Sequence, residues 1–142
     1  NAQGGGKPST VFDAIGAAQV AKASFAGMRF LHAITGHIPV WPFDDPGDTG
    51  PLVIEIYTQI AARAAGLRKG RSKIRDAAGL DAALTVIGSD PHLPLARYSD
   101  HATDAILTAA WLRANAARAE LWDPPDLTQE IAATEGWTFG VI

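Results

Sequence analysis

Apolar residues recur every three or four positions along several stretches of the chain, and each stretch is punctuated by residues that start or stop helices. After Pro8-Ser9-Thr10, the spacing of Val11, Ile15, Ala18, Met28 and Leu31 predicts a helix over 10–35, interrupted by Gly16 and Gly27 and closed by Gly36. An Ala-rich run predicts a short helix from Thr58 to Ala65, ended by Gly66. Ile74, Leu80, Leu84 and Ile87 predict another over 73–87, stopped by Gly88. Ser99 caps a long helix that runs through Trp111 towards Leu121, with Asp100 in its first turn. A last short helix is expected over 127–134.

Between these stretches the pattern changes. Ile38 to Phe43 reads as extended, and Pro39 and Pro42 confine any strand there to an edge. Asp44 to Pro51 is a loop by composition. Leu52-Val53-Ile54-Glu55-Ile56-Tyr57 has the composition of a strand buried on both faces, broken by one carboxylate, and 136–142 reads as extended. Strand alternating with helix predicts an α/β layered domain. The expected organisation is a flexible leader over 1–7, with its Gly4-Gly5-Gly6 triplet, and a single domain over 8–142. Two or three strands are few for such a sheet, so further strands are expected upstream.

The chain has 142 residues, enough for one sizeable core. Hydrophobic residues make up 47% and charged residues 19%, which excludes a disordered or fibrous chain. A formal charge of −3 argues against coating nucleic acid by bulk charge but leaves room for a local basic patch. There is no cysteine, which removes disulfide frameworks, thiolate metal sites and Cys nucleophiles. No apolar run is long enough to span a membrane. With no signal segment visible, the cytoplasm is the default location.

Three features carry candidate chemistry. Glu55 interrupts an apolar strand, so it is either a strand-end carboxylate paired or solvated at an edge, or a metal ligand on a central strand. His101 and Asp104 lie three apart and share one helix face, with Thr108 one turn further on. They can grip a divalent cation with help from elsewhere, or simply decorate a helix N-terminus. Third, Arg63, Arg68, Lys69, Arg71, Lys73 and Arg75 place six of the twelve basic residues in one acid-free run. Arg68, Lys69, Arg71 and Lys73 are the candidate phosphate contacts, and a solvated basic loop is the ordinary alternative. His92 lies between prolines without a carboxylate at useful spacing, and the four tryptophans read as core or packing elements.

In order along the chain, Val53-Ile54-Glu55-Ile56-Tyr57, the basic run, His101-Ala102-Thr103-Asp104-Ala105-Ile106-Leu107 and Glu135-Gly136-Trp137 resemble a family of predicted nucleases with a ribonuclease H-like fold. The strand and helix are also similar to those of RuvC-type Holliday-junction resolvases. The resemblance covers roughly residues 8 to 142. It implies a mixed sheet flanked by helices, with Glu55 on the fourth strand and His101 and Asp104 on the last helix. These would hold two Mg²⁺ or Mn²⁺ ions for phosphodiester hydrolysis, and Asp100 is kept as an outer candidate. Such folds open with a β-meander whose first strand supplies an Asp, and no strand-borne Asp precedes residue 38. The chain is therefore expected to be a C-terminal portion, catalytically incomplete, with an exposed sheet edge that favours pairing with another copy. The alternatives are a non-catalytic interaction or regulatory domain on the same fold, and small-molecule phosphate hydrolysis.

Overall fold

The computed structural model describes residues 20–68 and 73–142, with side chains from residue 23 onward. Its elements are α1 (Val20–Ile34), α2 (Gln59–Ala64), α3 (Ala77–Ile87), α4 (Asp100–Asn115), α5 (Ala119–Trp122) and α6 (Gln129–Thr134). The leader and the first ten residues of the expected N-terminal helix lie outside the described residues. The chain divides into two compact units: one runs up to Ile54 and includes Gln129–Trp137, the other comprises Glu55–Thr128 and Thr138–Ile142.

The expected ribonuclease H-like α/β architecture, a mixed sheet flanked by helices, is not what the chain forms. Among the described residues there is no sheet, only two isolated parallel bridges, Val40 to Val53 and Ile56 to Phe139. The cause lies in the neighbours of the apolar run 52–57. In the first unit, Trp41 N–H donates to the Val53 carbonyl and Val53 N–H to the Pro39 carbonyl, both at 3.0 Å. Pro39 and Pro42 have no N–H to extend that pairing, and the chain turns back at once as Asp44 N–H donates to the Val40 carbonyl at 3.0 Å. In the second unit, Phe139 N–H donates to the Glu55 carbonyl at 2.8 Å. Gly140, at φ +91°, then bends the chain away. Ladders grow by repeated pairing, and both partner segments stop after one bridge. No sheet edge is therefore presented by the described residues, and the expected pairing of copies through one has no basis.

The second unit is built on α4, against which α2 and α3 both pack. Leu80, Ala83 and Leu84 of α3, Ala61 and Ala62 of α2, and Leu107, Ala110 and Trp111 of α4 form its buried apolar centre. Phe139 is fully buried, edge-on to Trp111 at 6.3 Å and tilted against Trp122 at 4.5 Å. A Cβ at Gly140 would stand 2.8 Å from the Trp111 ring and 3.2 Å from Ile60, so this close approach requires glycine.

Local chemistry sets the helix ends. Asp76 caps α3 by accepting the Gly79 N–H at 2.8 Å, and Gly88 closes it in the left-handed conformation. Ser99 caps α4, as its position in the sequence predicts, by accepting the Ala102 N–H at 3.3 Å. Helix α4 stops at Asn115, short of Leu121. The Asn115 amide donates to the Trp111 carbonyl at 2.8 Å, and the Trp122 indole donates to the Ala116 carbonyl at 2.7 Å, taking an acceptor that a longer helix would use.

Candidate functional site

The residues singled out in the sequence are only partly brought together. Glu55 is exposed, and what it contributes to the fold is its carbonyl, bonded to Phe139 N–H. His101 and Asp104 share the N-terminal turns of α4, His101 exposed and Asp104 half-buried. Among the described residues no group of three or more His, Asp or Glu side chains gathers in a way that could hold a metal ion, so Glu55 does not complete a set with the other two. Arg68 is exposed, while Lys69 and Arg71 lie outside the described residues. Lys73 is engaged within the chain. Its ammonium lies 3.1 Å from Asp100, and Arg75 bonds the other oxygen of the same carboxylate. These bonds, Arg75 first, hold Asp100 below the ordinary carboxylate range. Asp100 thus ties the end of the basic segment to the start of α4, at the helix terminus where a negative charge is favoured.

One turn further along, the electrostatics reverse. Burial raises the pKa of Asp104, the nearby charge of Asp100 raises it further, and His101 opposes the shift. Asp104 has no hydrogen-bond or ion-pair partner among the described residues. Thr108, four residues on, carries a buried hydroxyl that also has none. Side chains on a helix lean towards its N-terminus, so Thr108 leans over Asp104 on the same flank. Thr103 on the same helix shows the usual solution. It is equally buried, yet its hydroxyl donates to the carbonyls of Ser99 at 3.1 Å and Asp100 at 3.2 Å. A buried polar atom without a partner costs about 1–3 kcal/mol, and such atoms in folded proteins call for a specific explanation.

A second polar cluster was not legible in the sequence. His92, whose side chain is only 5% exposed, places Nδ1 at 2.6 Å from Asp81 Oδ1 and Nε2 at 2.8 Å from the Tyr98 hydroxyl. A carboxylate only accepts, so Nδ1 donates to Asp81, while Nε2 and the Tyr98 hydroxyl share the second bond. His92 N–H donates to the same Asp81 oxygen at 3.1 Å. The His92 side chain, then its backbone N–H, lowers the pKa of Asp81. Pro91 and Pro94 break any continuous helix or strand between these residues, so their separations carry no periodic signal, and the loop that closes them has no pattern from which to predict it. Every strong hydrogen-bonding site of this histidine is used, so it reads as a clamp that fixes the loop 89–98 on α3 rather than as a reactive group.

Comparison of the chain with protein-family models, with curated proteins and with solved structures returned no match. Among the described residues, no helix is long and apolar enough to cross a membrane.

Proposed function

We propose that the chain hydrolyses phosphodiester bonds with the help of a divalent cation held on the Asp104 flank of α4. The observation that carries this reading is the buried Thr108 hydroxyl without a hydrogen-bond partner, one helical turn from Asp104, a part-buried carboxylate that has no hydrogen-bond or ion-pair partner among the described residues. Mg²⁺ and Mn²⁺ need few protein ligands, because one or two carboxylates suffice when water and a substrate phosphate complete the shell. Asp104 supplies the carboxylate, Thr108 the neutral oxygen, and His101 a ring nitrogen one turn back. Bound there, the cation would offset charge on the phosphate and activate a water. The chain's own part is to hold Asp104 in a half-desolvated position and to present cations nearby. Of the candidate phosphate contacts, Lys73 is partly neutralised by Asp100, and Arg68 is exposed with no ion pair among the described residues. Glu55 stands outside this arrangement.

The test is a Mn²⁺ titration by calorimetry on the parent chain and on Asp104→Asn and Thr108→Val, alongside cleavage of single-stranded DNA and RNA in Mn²⁺. Binding in the parent that weakens about tenfold or more in Asp104→Asn, with loss of any cleavage, supports the proposal. A parent that binds no Mn²⁺, or binding indifferent to Asp104, overturns it.

A second reading, an interaction module, is favoured by α1. Phe25, Met28 and Phe30 on this helix are each more than half exposed, which is unusual for large apolar side chains so close together. The helix sequence carries Lys22 and Arg29 and no acid, in a chain that is acidic overall, so the occupant it suits is a second copy of the chain. Light scattering over a concentration series checks this: association abolished by the pair Phe25→Ser and Phe30→Ser supports it, and a monomer throughout removes it.

A further inference from the structure

On the other flank of α4, Ile106, Ala110 and Arg113 face Leu84 of α3 and the loop Ser89-Asp90-Pro91-His92 across an open cleft of about 290 Å³. At 100° per residue, these positions lie on the opposite side of the buried stripe of α4 from Asp104 and Thr108, so this cleft is a separate place on the helix. The size is at the lower end of clefts that take small molecules. Its chemistry is divided. Leu84, Pro91, Ile106 and Ala110 give it an apolar floor, while two opposite charges, Arg113 and Asp90, stand at its walls.

Those two charges do not pair. Among the described residues Arg113 has no carboxylate partner, and its guanidinium donates only to the neutral Ser89 hydroxyl at 3.0 Å. Asp90 likewise forms no ion pair among them. A cation and an anion that line one cleft without an ion pair between them can both be engaged by a single ligand that carries both charges. Arginine's planar fork suits a carboxylate in particular. The wall behind is held in place. His92 is tied at both ring nitrogens to Asp81 and Tyr98, which fixes the loop bearing Ser89 and Asp90 relative to α3 before any ligand arrives.

We infer that this cleft binds a small zwitterion with an apolar side chain, of the free amino-acid class. Its carboxylate lies on Arg113 and Ser89, its ammonium on Asp90, and its side chain on Pro91 and Ile106. The site is independent of the cation site on the other flank.

The probe is L-leucine, titrated against the ¹⁵N-labelled chain by NMR and compared with glycine, N-acetylleucine and leucinamide. The expected result is shifts at Ser89–His92 and Arg113 with leucine, and at least about tenfold weaker binding for each of the three analogues. Arg113→Gln and Asp90→Asn are both at exposed positions, so they should fold, and each is expected to weaken leucine by about tenfold. Ser89→Ala is expected to weaken it less. No saturable shift with leucine overturns the inference. So does N-acetylleucine binding as well as leucine, or Asp90→Asn without effect, since either shows that the ammonium is not read. Glycine binding as well as leucine overturns the apolar half. Asp104→Asn leaves leucine binding unchanged if the two flanks are separate.

Discussion

Asp81 and Asp104 sit on neighbouring helices of the same compact unit, α3 and α4, and their surroundings differ in every respect that matters for chemistry. Asp81 receives two hydrogen bonds from one residue, His92, whose ring is in turn closed off by Tyr98. Asp104 receives none among the described residues, is repelled by Asp100, and has the orphaned Thr108 hydroxyl for a neighbour. One carboxyl has its pKa lowered by the fold and the other has it raised. The first arrangement is complete without a ligand, and its hydrogen bonds outweigh the desolvation that opposes them. The second is unfavourable as it stands and gains only if something binds. Saturated polar groups hold structure, and unsaturated ones are where a partner is expected.

The largest effect should come from taking the saturated cluster apart. His92→Ala removes a buried ring together with its hydrogen bonds to Asp81 and Tyr98, at a cost of about 2–3 kcal/mol. For a chain of this size that corresponds to a fall in Tm of roughly 10 °C, measurable by circular dichroism. Metal titrations at Asp104 should be untouched at temperatures where the variant stays folded. A His92→Ala chain that melts with the parent would show that the cluster is incidental and remove one side of the contrast.

The elements whose signals are local were legible in the sequence, and those that depend on partners were not. The span 77–87 of α3 is bounded by Asp76 and Gly88, and the start of α4 is marked by Ser99, because caps act within a turn of the residues they bond. The run 52–57 has strand composition throughout, yet whether it joins a sheet is decided by Pro39, Pro42 and Gly140, far away along the chain. Composition alone cannot carry that information. The expected site met the same limit. His101 and Asp104 share a helix turn and could be placed together by spacing, whereas Glu55 could be joined to them only through a sheet, and the described residues form none. Asp81, His92 and Tyr98 were missed because an irregular loop brings them together. Lys73 reads in the sequence as a phosphate contact, and its ion pair with Asp100, 27 positions on, is beyond what local spacing can show.

The unsaturated flank should respond in the opposite sense. Thr108→Val keeps the shape of the side chain and removes the orphaned hydroxyl, which predicts a gain of about 1 kcal/mol and a Tm rise of a few degrees. The same substitution should weaken Mn²⁺. Asp104→Asn removes a desolvated and repelled charge. Much of the group is in water, so screening limits the gain to at most about 0.5 kcal/mol. Stability gained together with metal affinity lost is the pattern of a group retained for binding at the expense of the fold. If Thr108→Val is instead destabilising, its hydroxyl has a partner in solution and the contrast with Asp81 narrows.

The smallest effect is also the most specific, because it asks for opposite signs from two residues of the same type. Asp81 has a folded pKa below its unfolded one, so it contributes stability that is fully present above about pH 4 and is lost as the pH falls through the folded value. Asp104 has a folded pKa above its unfolded one. Its ionisation therefore opposes folding at neutral pH, and that penalty fades as the pH falls through the raised value, vanishing below about pH 4. Relative to the parent, Asp81→Asn should be less stable at pH 7 and Asp104→Asn more stable. The gain of Asp104→Asn should close by about pH 3.5, whereas the loss in Asp81→Asn should only begin to shrink there, because the folded Asp81 carboxyl titrates below its ordinary range. Urea midpoints at pH 7 and at about pH 3.5 measure this directly. Were the extra stability of Asp104→Asn to persist unchanged in acid, it would come from packing of the amide and not from a charge. The raised carboxyl would then cease to mark a place waiting for a cation.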